Sequence, residues 1–234
     1  MKTKYILLLT TALALLCTDA PAASGTKGAF TDTFDVDKSE LSSTGTNRFF
    51  VLVPGHTLVL EGIRGGKKGV LVITVLNETK VVDGVETRVV EEKESEDGQV
   101  IEISRNFFAI SRKTADVFYF GEEVDIYKKG KIVSHDGAWL AGVAGARFGL
   151  AMPGSPLLGA RYHHEVAPKV AMDRAEILSL SETIDTPAGK LEKCLKTEET
   201  TPIEKGKENK FYAPGIGVVF DGELKLVKHG FVKP

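Results

Sequence analysis

Apolar and polar residues alternate with a period close to two along most of the chain after Phe49. The alternation runs through β-branched segments that read TLVLEGI, GVLVITVLNE, KVVDGVETRVVEEKES and GQVIEISRNFFAISR. A period of two is typical of β-strands with one buried face. The pairs Asp83-Gly84 and Asp97-Gly98 interrupt the pattern, and Asp-Gly tolerates positive φ at both positions of a tight turn. The first half of the chain is therefore predicted to form antiparallel hairpins.

The pattern resumes after a Gly/Pro-rich stretch at 142–159, which has no period and is predicted to be a long ordered loop covering one end of the sheet. Further strands are predicted at 160–167, 172–184, 190–200, 208–213, 216–221 and 224–231. The segment PKVAMDRAEILSLSE has the composition of a helix, but the Thr-Pro-Ala-Gly turn after it favours a strand. A sheet of about ten strands must curl or close. The predicted fold class is all-β, with a single antiparallel meander forming a strongly curved sheet or incomplete barrel.

The first residues have the pattern of a secretory signal peptide. Lys2 and Lys4 precede an apolar stretch that is too short to span a bilayer, and Ala-Pro-Ala follows at 20–22. We therefore predict a signal peptide at 1–22, a polar linker at 23–47 and a single β domain at 48–234. The predicted location is secreted or periplasmic, with no transmembrane segment after cleavage. Lipidation of Cys17 is not expected, because Leu16 stands where a lipobox has a small residue.

Cysteine content and charge narrow the range of functions. Once the signal peptide is removed, Cys194 is the only cysteine, so no internal disulfide is expected and the thiol is interpreted as a small buried strand residue. The formal net charge is −2, and no basic run stands apart from acidic neighbours. Nucleic-acid binding is therefore not predicted, because it requires a basic surface.

Common catalytic signatures are absent from the sequence. GIRGGKKG lacks the spacing and the Ser/Thr of a phosphate loop, and APGIGVVF lacks the third glycine of a dinucleotide fingerprint. There is also no His-Glu-x-x-His and no Gly-x-Ser-x-Gly. The sequence therefore predicts no cofactor, and whether the protein is an enzyme stays open, with a non-catalytic role favoured.

The segment RYHHEV at 161–166 carries the strongest candidate chemistry. On a regular strand, neighbouring side chains face opposite sides. We therefore expect Tyr162, His164 and Val166 to face inward, and Arg161, His163 and Glu165 to face solvent. Asp173 alternates with Ala175 and Ile177, so it places a carboxylate on an apolar face that needs a partner such as Arg161 or His164.

Three interpretations of this segment remain open: a core histidine with its hydrogen bonds satisfied, an acid/base site, or a transition-metal site. His163, His164 and Glu165 are the candidate metal ligands, but a metal site needs three or four converging ligands and none is predicted. Aromatic residues near 107–120 and Trp139 form a core or line a ligand cavity. The candidate ligand-binding residues are Phe118, Phe120, Trp139, Met152, Tyr162, His164 and Asp173.

Several longer motifs resemble a family of uncharacterised exported bacterial proteins. These motifs are FFVLVPGHTLVLEG, DVFYFGEE, DGAWLAGVAGARFGLAMPGSPLLGARYHHE, MDRAEILSLSETIDTPAGK and KFYAPGIGVVFDGELKLV, and they cover most of 48–230. The chain departs from the family pattern at Leu60, where the family has Tyr, and at Phe118, where it has Trp. The resemblance implies a curved antiparallel sheet similar to that of bacterial lipoprotein carriers, and no catalytic residue follows from it.

These observations predict an exported binding protein that holds a hydrophobic or amphipathic small molecule in a curved-sheet cavity, without catalysis. One alternative is a metal-binding protein or hydrolase centred on His164, Glu165 and Asp173. A second alternative is an envelope structural or protein-interaction domain that pairs along an edge strand. Convergence of His164 and Asp173 with Glu122, His135 or Glu165 in an open cavity would favour a site over scattered core residues.

Overall fold

A computed structural model of the chain describes residues 28–232, so the predicted signal peptide lies outside the described residues. The described part contains one 3-10 helical turn, Lys38–Glu40, and eighteen strands. The strands of the first half are β1 (Leu41–Ser42), β2 (Gly45–Asn47), β3 (Phe50–Leu52), β4 (His56–Arg64), β5 (Lys67–Val82), β6 (Val85–Glu96), β7 (Gln99–Ser111), β8 (Val117–Lys128) and β9 (Lys131–Ser134). Those of the second half are β10 (Trp139–Leu140), β11 (Arg147–Met152), β12 (Arg161–His163), β13 (Glu165–Val166), β14 (Arg174–Thr186), β15 (Gly189–Thr200), β16 (Glu208–Ala213), β17 (Gly217–Asp221) and β18 (Leu224–Phe231).

One antiparallel sheet contains all of these strands except β2 and β3, which form a separate pair. Its order is β12-β14-β15-β16-β17-β18-β4-β5-β6-β7-β8-β11-β13. The sheet is nearly closed into a barrel with one unsealed seam, which confirms the predicted all-β fold. None of the described residues forms an α-helix, and none belongs to a helix long and apolar enough to cross a membrane. Strands β1 and β2 lie inside the segment 23–47 that is predicted to be a linker. The start of the β domain at residue 48 stays a prediction.

The two Asp-Gly pairs make the hairpin turns that the sequence predicts. Asp83 and Gly84 have φ values of 49° and 78°, and they connect β5 to β6. Asp97 and Gly98 have φ values of 47° and 77°, and they connect β6 to β7. Positive φ at both central residues matches the twist of the flanking strands. These turns fix the register of β5, β6 and β7, and β6 and β7 carry two of the acidic residues described below.

The unsealed seam separates β12 and β13, the two terminal strands of the order, which follow each other directly along the chain. We call residues 161–166 the seam segment. Its first half pairs with β14, with Tyr162 opposite Ala175, and its second half pairs with β11, with Glu165 opposite Phe148. The backbone bends at His164 between the two halves. Side-chain alternation therefore does not continue across this residue.

The N-terminal arm, residues 28–36, runs along the free edge of β12. The Thr31 amide donates to the Arg161 carbonyl at 3.0 Å, and the His163 amide donates to the Thr31 carbonyl at 2.8 Å. Asp32 reaches across the seam to Arg147 at the start of β11, with an N–O distance of 3.2 Å. The arm therefore contacts both sides of the opening that the strands leave.

Strand β11 lies within the stretch 142–159, where the sequence pattern has no period. Gly149 faces the seam segment so closely that a Cβ atom there would lie 2.5 Å from the carbonyl oxygens of His163 and His164. Only glycine allows this approach of two backbones. Gly149, which interrupts the alternation of apolar and polar residues in β11, is thus the residue that lets β11 fit beside the seam segment.

We expect Gly149→Ala to lower the free energy of unfolding by about 1–3 kcal/mol, as overpacking does at a site that cannot expand. Urea denaturation monitored by circular dichroism measures this loss. Gly28→Ala is the matched control, because nothing lies within 4 Å of a Cβ atom at that position. Equal stability of the two variants would contradict the close approach.

Candidate functional site

The barrel encloses a cavity of about 290 Å³ with two kinds of wall. Its apolar wall includes Phe50, Val51, Leu58, Ile73, Val75, Val90, Phe108, Ala151, Ile216 and Val218. Its polar wall carries seven carboxylates, Glu92, Glu102, Glu122, Glu165, Asp173, Glu199 and Asp221, against one lysine, Lys210. The cavity is therefore both amphipathic and strongly acidic.

Alternation along the central strands brings acidic and apolar residues to the same inner face. On β6, Val90 and Glu92 both line the cavity, two residues apart. Val90 lies opposite Asn106 of β7, and Asn106 lies opposite Glu122 of β8. Neighbouring strands thus contribute Glu92 and Glu122 to one wall, and burial there raises the pKa of each carboxyl to about 7.

His164 links the seam segment to β15 and β16 through hydrogen bonds. Its Nδ1–H donates to the Leu150 carbonyl at 3.0 Å, and its Nε2 lies 3.5 Å from Oε1 of Glu199. The Tyr212 hydroxyl donates to the same Glu199 oxygen at 3.1 Å. Burial lowers the pKa of His164, but the hydrogen bond and charge of Glu199 outweigh this effect and raise it. His164 is therefore held towards its protonated form.

Lys210 completes this network by contacting two carboxylates. Its Nζ lies 3.2 Å from Oε2 of Glu199 and 3.6 Å from Oδ2 of Asp221. Burial lowers the pKa of Lys210, but Asp221 and Glu199 outweigh burial and raise it well above the usual range. For Glu199, burial acts to raise the pKa, and Lys210 and His164 reverse that effect and lower it. Both cations of the network are thus occupied by Glu199 and Asp221.

The remaining carboxylates of the polar wall have no cationic partner within ion-pair distance among residues 28–232; they are Glu92, Glu102, Glu122, Glu165 and Asp173. Glu165 is the most buried, at 2% exposure. Its Oε1 accepts from the Asp173 amide. Burial, followed by the charge of Asp173, raises the pKa of Glu165 to about 8. At neutral pH this carboxyl is therefore largely in its protonated form.

The structure corrects two expectations about the seam segment. Glu165 does not face solvent with His163 but lines the cavity beside His164, because the bend at His164 breaks the alternation. His163 is also buried, at 8% exposure, because the N-terminal arm covers it and places the Phe30 ring 5.9 Å away between centroids. Tyr162, which is buried, packs against His164 with ring centroids 5.6 Å apart.

Of the candidate ligand-binding residues, His164 and Asp173 line the cavity. The others are buried in the hydrophobic core around it: Phe118, Phe120 and Trp139 in one cluster, and Met152 and Tyr162 in another. The carboxylate partner of the His164 ring is Glu199, whereas Asp173 accepts from the His164 amide through its carbonyl at 2.8 Å. The role of the seven candidate residues in ligand binding stays a prediction.

Asp173 marks the mouth of the cavity, because it is exposed to solvent and also lines the inner wall. A second pocket of about 660 Å³ adjoins it and shares Asp173, Glu199 and Lys210 with the cavity. Residues of the 201–207 segment line this second pocket, among them Glu204, Lys205 and Lys207. The acidic wall therefore lies on the route between solvent and the apolar wall.

Metal ligation has no support in the arrangement of side chains. Within residues 28–232, no group of three or more His, Cys, Asp or Glu side chains is placed to hold an ion. The candidate ligands do not converge, since His163 lies under the N-terminal arm while His164 and Glu165 line the cavity.

Three functional candidates, Glu92, Glu199 and Lys210, were not predicted as site residues from the sequence. Two of them are in phase with buried residues of their own strands, Glu92 with Val90 and Glu199 with Thr197. This phase was a usable signal in the sequence. The sequence does not indicate that these three residues converge, because their convergence depends on the register that places Thr197 opposite Lys210.

No family model matches the chain, and no curated protein matches it. A search of solved structures gives a match to a candidate lipoprotein from Parabacteroides distasonis, with 14% sequence identity and a TM-score of 0.39. The alignment covers 80% of this chain and 100% of that chain. The fold described above rests on the strand pairing of this chain itself.

Proposed function

We propose that the protein binds an amphipathic small molecule inside its barrel. The observation that carries this proposal is the division of one cavity into an apolar wall around Leu58, Ile73 and Phe108 and an acidic wall around Glu92 and Glu165. Ligand sites combine a mostly apolar lining with a few placed polar groups. A ligand with one polar end matches such a division better than a wholly apolar ligand, because the latter would leave buried carboxyls without partners.

The volume of the cavity limits the size of the ligand. The cavity volume of 290 Å³ lies at the lower end of the roughly 300–1,000 Å³ of small-molecule pockets. A ligand as small as an eight-carbon chain with a polar end group suits a cavity of this volume. The predicted signal peptide supports a location outside the cytoplasm, where such a protein would capture or carry its ligand.

A second candidate function is hydrolysis, which the contrast between Glu165 and Glu199 favours. Both carboxyls line the cavity, and their pKa values are displaced in opposite directions, Glu165 upwards and Glu199 downwards. Such pairs can divide the roles of general acid and base. Binding is preferred because the sequence lacks the common catalytic signatures and because Glu199 is already bonded to His164 and Lys210.

Native mass spectrometry with eight-carbon probes tests the proposed function. The protein is incubated separately with octylamine, sodium octanoate and 1-octanol, and we expect a one-to-one complex with at least one of them. Replacing the apolar wall residue Ile73 by Asp should abolish the complex, whereas Val81→Asp, at a position 69% exposed, should not. Failure of all three probes would contradict the binding function, and a probe bound equally by the Ile73→Asp variant would place its site elsewhere.

A further inference from the structure

We infer that the ligand is a cationic amphiphile, whose ammonium or similar organic cation lies among Glu92, Glu122 and Glu165 while its apolar part contacts Leu58 and Ile73. This inference rests on the proposed function and adds the charge of the ligand. The three carboxyls come from different strands, β6, β8 and β13, and all line the one cavity. The fold has therefore gathered them from distant parts of the sequence.

The charge balance of the cavity favours a cationic ligand over an anionic one. Seven carboxylates line it, and its one lysine is engaged by Glu199 and Asp221. An anionic group would meet carboxyls that gain negative charge as the pH rises, and both Lys210 and His164 are already engaged by carboxylates. A cationic group would meet carboxyls that have no ion-pair partner among the described residues, and hydrogen bonds to charged groups are the stronger ones.

Two buried side chains in the cavity wall have unused hydrogen-bonding capacity. His56 is 5% exposed and lines the cavity, and neither ring nitrogen makes a hydrogen bond within residues 28–232. Glu165 is 2% exposed, and its one hydrogen bond within that range comes from the Asp173 amide. Buried polar groups are normally satisfied, so the unused capacity of these two side chains is available to a molecule inside the cavity. A primary ammonium, with three donors, is suited to this role.

An organic cation suits the site better than a metal ion. Within the described residues, no three His, Cys, Asp or Glu side chains are placed to hold a metal ion. A metal ion also leaves the apolar wall unused. An amphiphile uses both walls at once, and each buried methylene adds to its affinity.

Isothermal titration calorimetry at pH 8 with octylammonium chloride, sodium octanoate and 1-octanol tests the inference. Octylammonium keeps its charge at this pH, as lysine does. We expect it to bind at least tenfold more tightly than octanol, and octanoate to bind more weakly than either. Methylammonium, which has the charge without the chain, should bind too weakly to measure. Octanol or octanoate binding as tightly as octylammonium, or methylammonium binding equally well, would overturn the inference.

Glu165→Gln and Glu92→Gln locate the cation. Each should weaken octylammonium binding by about tenfold and change octanol binding by less than about twofold, because only the charged contact is lost. Glu91→Gln is the matched control, since residue 91 neighbours Glu92 on β6 and does not line the cavity. Unchanged octylammonium binding in both cavity variants would overturn the inference. If none of the probes binds the wild-type protein, the proposed function fails as well, which separates the two outcomes.

Discussion

Lys210→Met is expected to lower the free energy of unfolding by about 3 kcal/mol at pH 7, because it leaves Asp221 without a cation and Glu199 with His164 alone. Glu199 and Asp221 lie 3.2 Å and 3.6 Å from the lysine Nζ, and their side chains are only 14% and 15% exposed. Methionine preserves much of the apolar stem, so the loss reports the charge. Urea denaturation of the variant and the wild type measures the difference.

Lys207→Met is the control for the loss of a lysine. Lys207 lies 2.8 Å from Glu198, but its side chain is 66% exposed, so this variant should change stability by less than about 0.5 kcal/mol. The double variant Lys210→Met with Glu199→Gln should recover part of the loss, because the neutral amide no longer needs a cation. A Lys210→Met variant as stable as Lys207→Met would contradict the network described here.

Raising the pH from 5 to 9 is expected to destabilise the protein through its buried carboxyls. The pKa of Glu165 is raised from 4.5 in the unfolded chain to about 8, and those of Glu92 and Glu122 are raised to about 7. Between these values the folded state binds more protons than the unfolded state, so stability falls as pH rises. Glu165 alone contributes a loss on the order of 4 kcal/mol, complete above its folded pKa.

Other groups around Glu165 set the limits of this pH window. Its neighbours are His164, Asp173, Glu122 and Tyr119. The raised pKa of His164 acts in the same direction, because its stabilising contribution is present at low pH and is lost as pH rises through the folded pKa. Glu199 acts oppositely, since its lowered pKa gives stability that is lost only in acid, below the window.

Urea denaturation at pH 5, 7 and 9 measures the effect, with Glu165→Gln as the informative variant. The neutral amide should be nearly as stable as the wild type at pH 5 and clearly more stable at pH 9, which flattens the pH profile. Glu91→Gln, on the opposite face of β6, should keep the wild-type profile. A Glu165→Gln variant with the same pH profile as the wild type would show that Glu165 is not held in its neutral form.

The fold was predictable from the sequence where local chemistry decides the structure. The Asp-Gly pairs at 83–84 and 97–98 require positive φ, and both form tight turns between long alternating strands. The strand predicted around residues 172–184 is also present as β14, despite its helical composition. In these segments the hydrophobic period and the turn residues favour the same structure, which is when sequence patterns are most informative.

The candidate site was only partly predictable, because its residues meet through long-range register. Alternation predicted the inward position of His164 correctly. It did not predict the inward position of Glu165, because the bend between β12 and β13 depends on where the barrel nearly closes. The Glu199 partner of His164 comes from β15, which the pairing of β14 and β15 brings close. Burial of His163 depends on Phe30 in a segment predicted as a linker.

The seam also has a consequence for association between copies of the protein. Exposed strand edges invite pairing with other chains, and hydrogen-bonded closure is the usual way to remove them. Here the two terminal strands of the order, β12 and β13, are three and two residues long and belong to one continuous segment. Thr31 already occupies hydrogen-bonding positions on the free edge of β12. The barrel thus limits edge-to-edge aggregation without hydrogen-bonded closure of its wall.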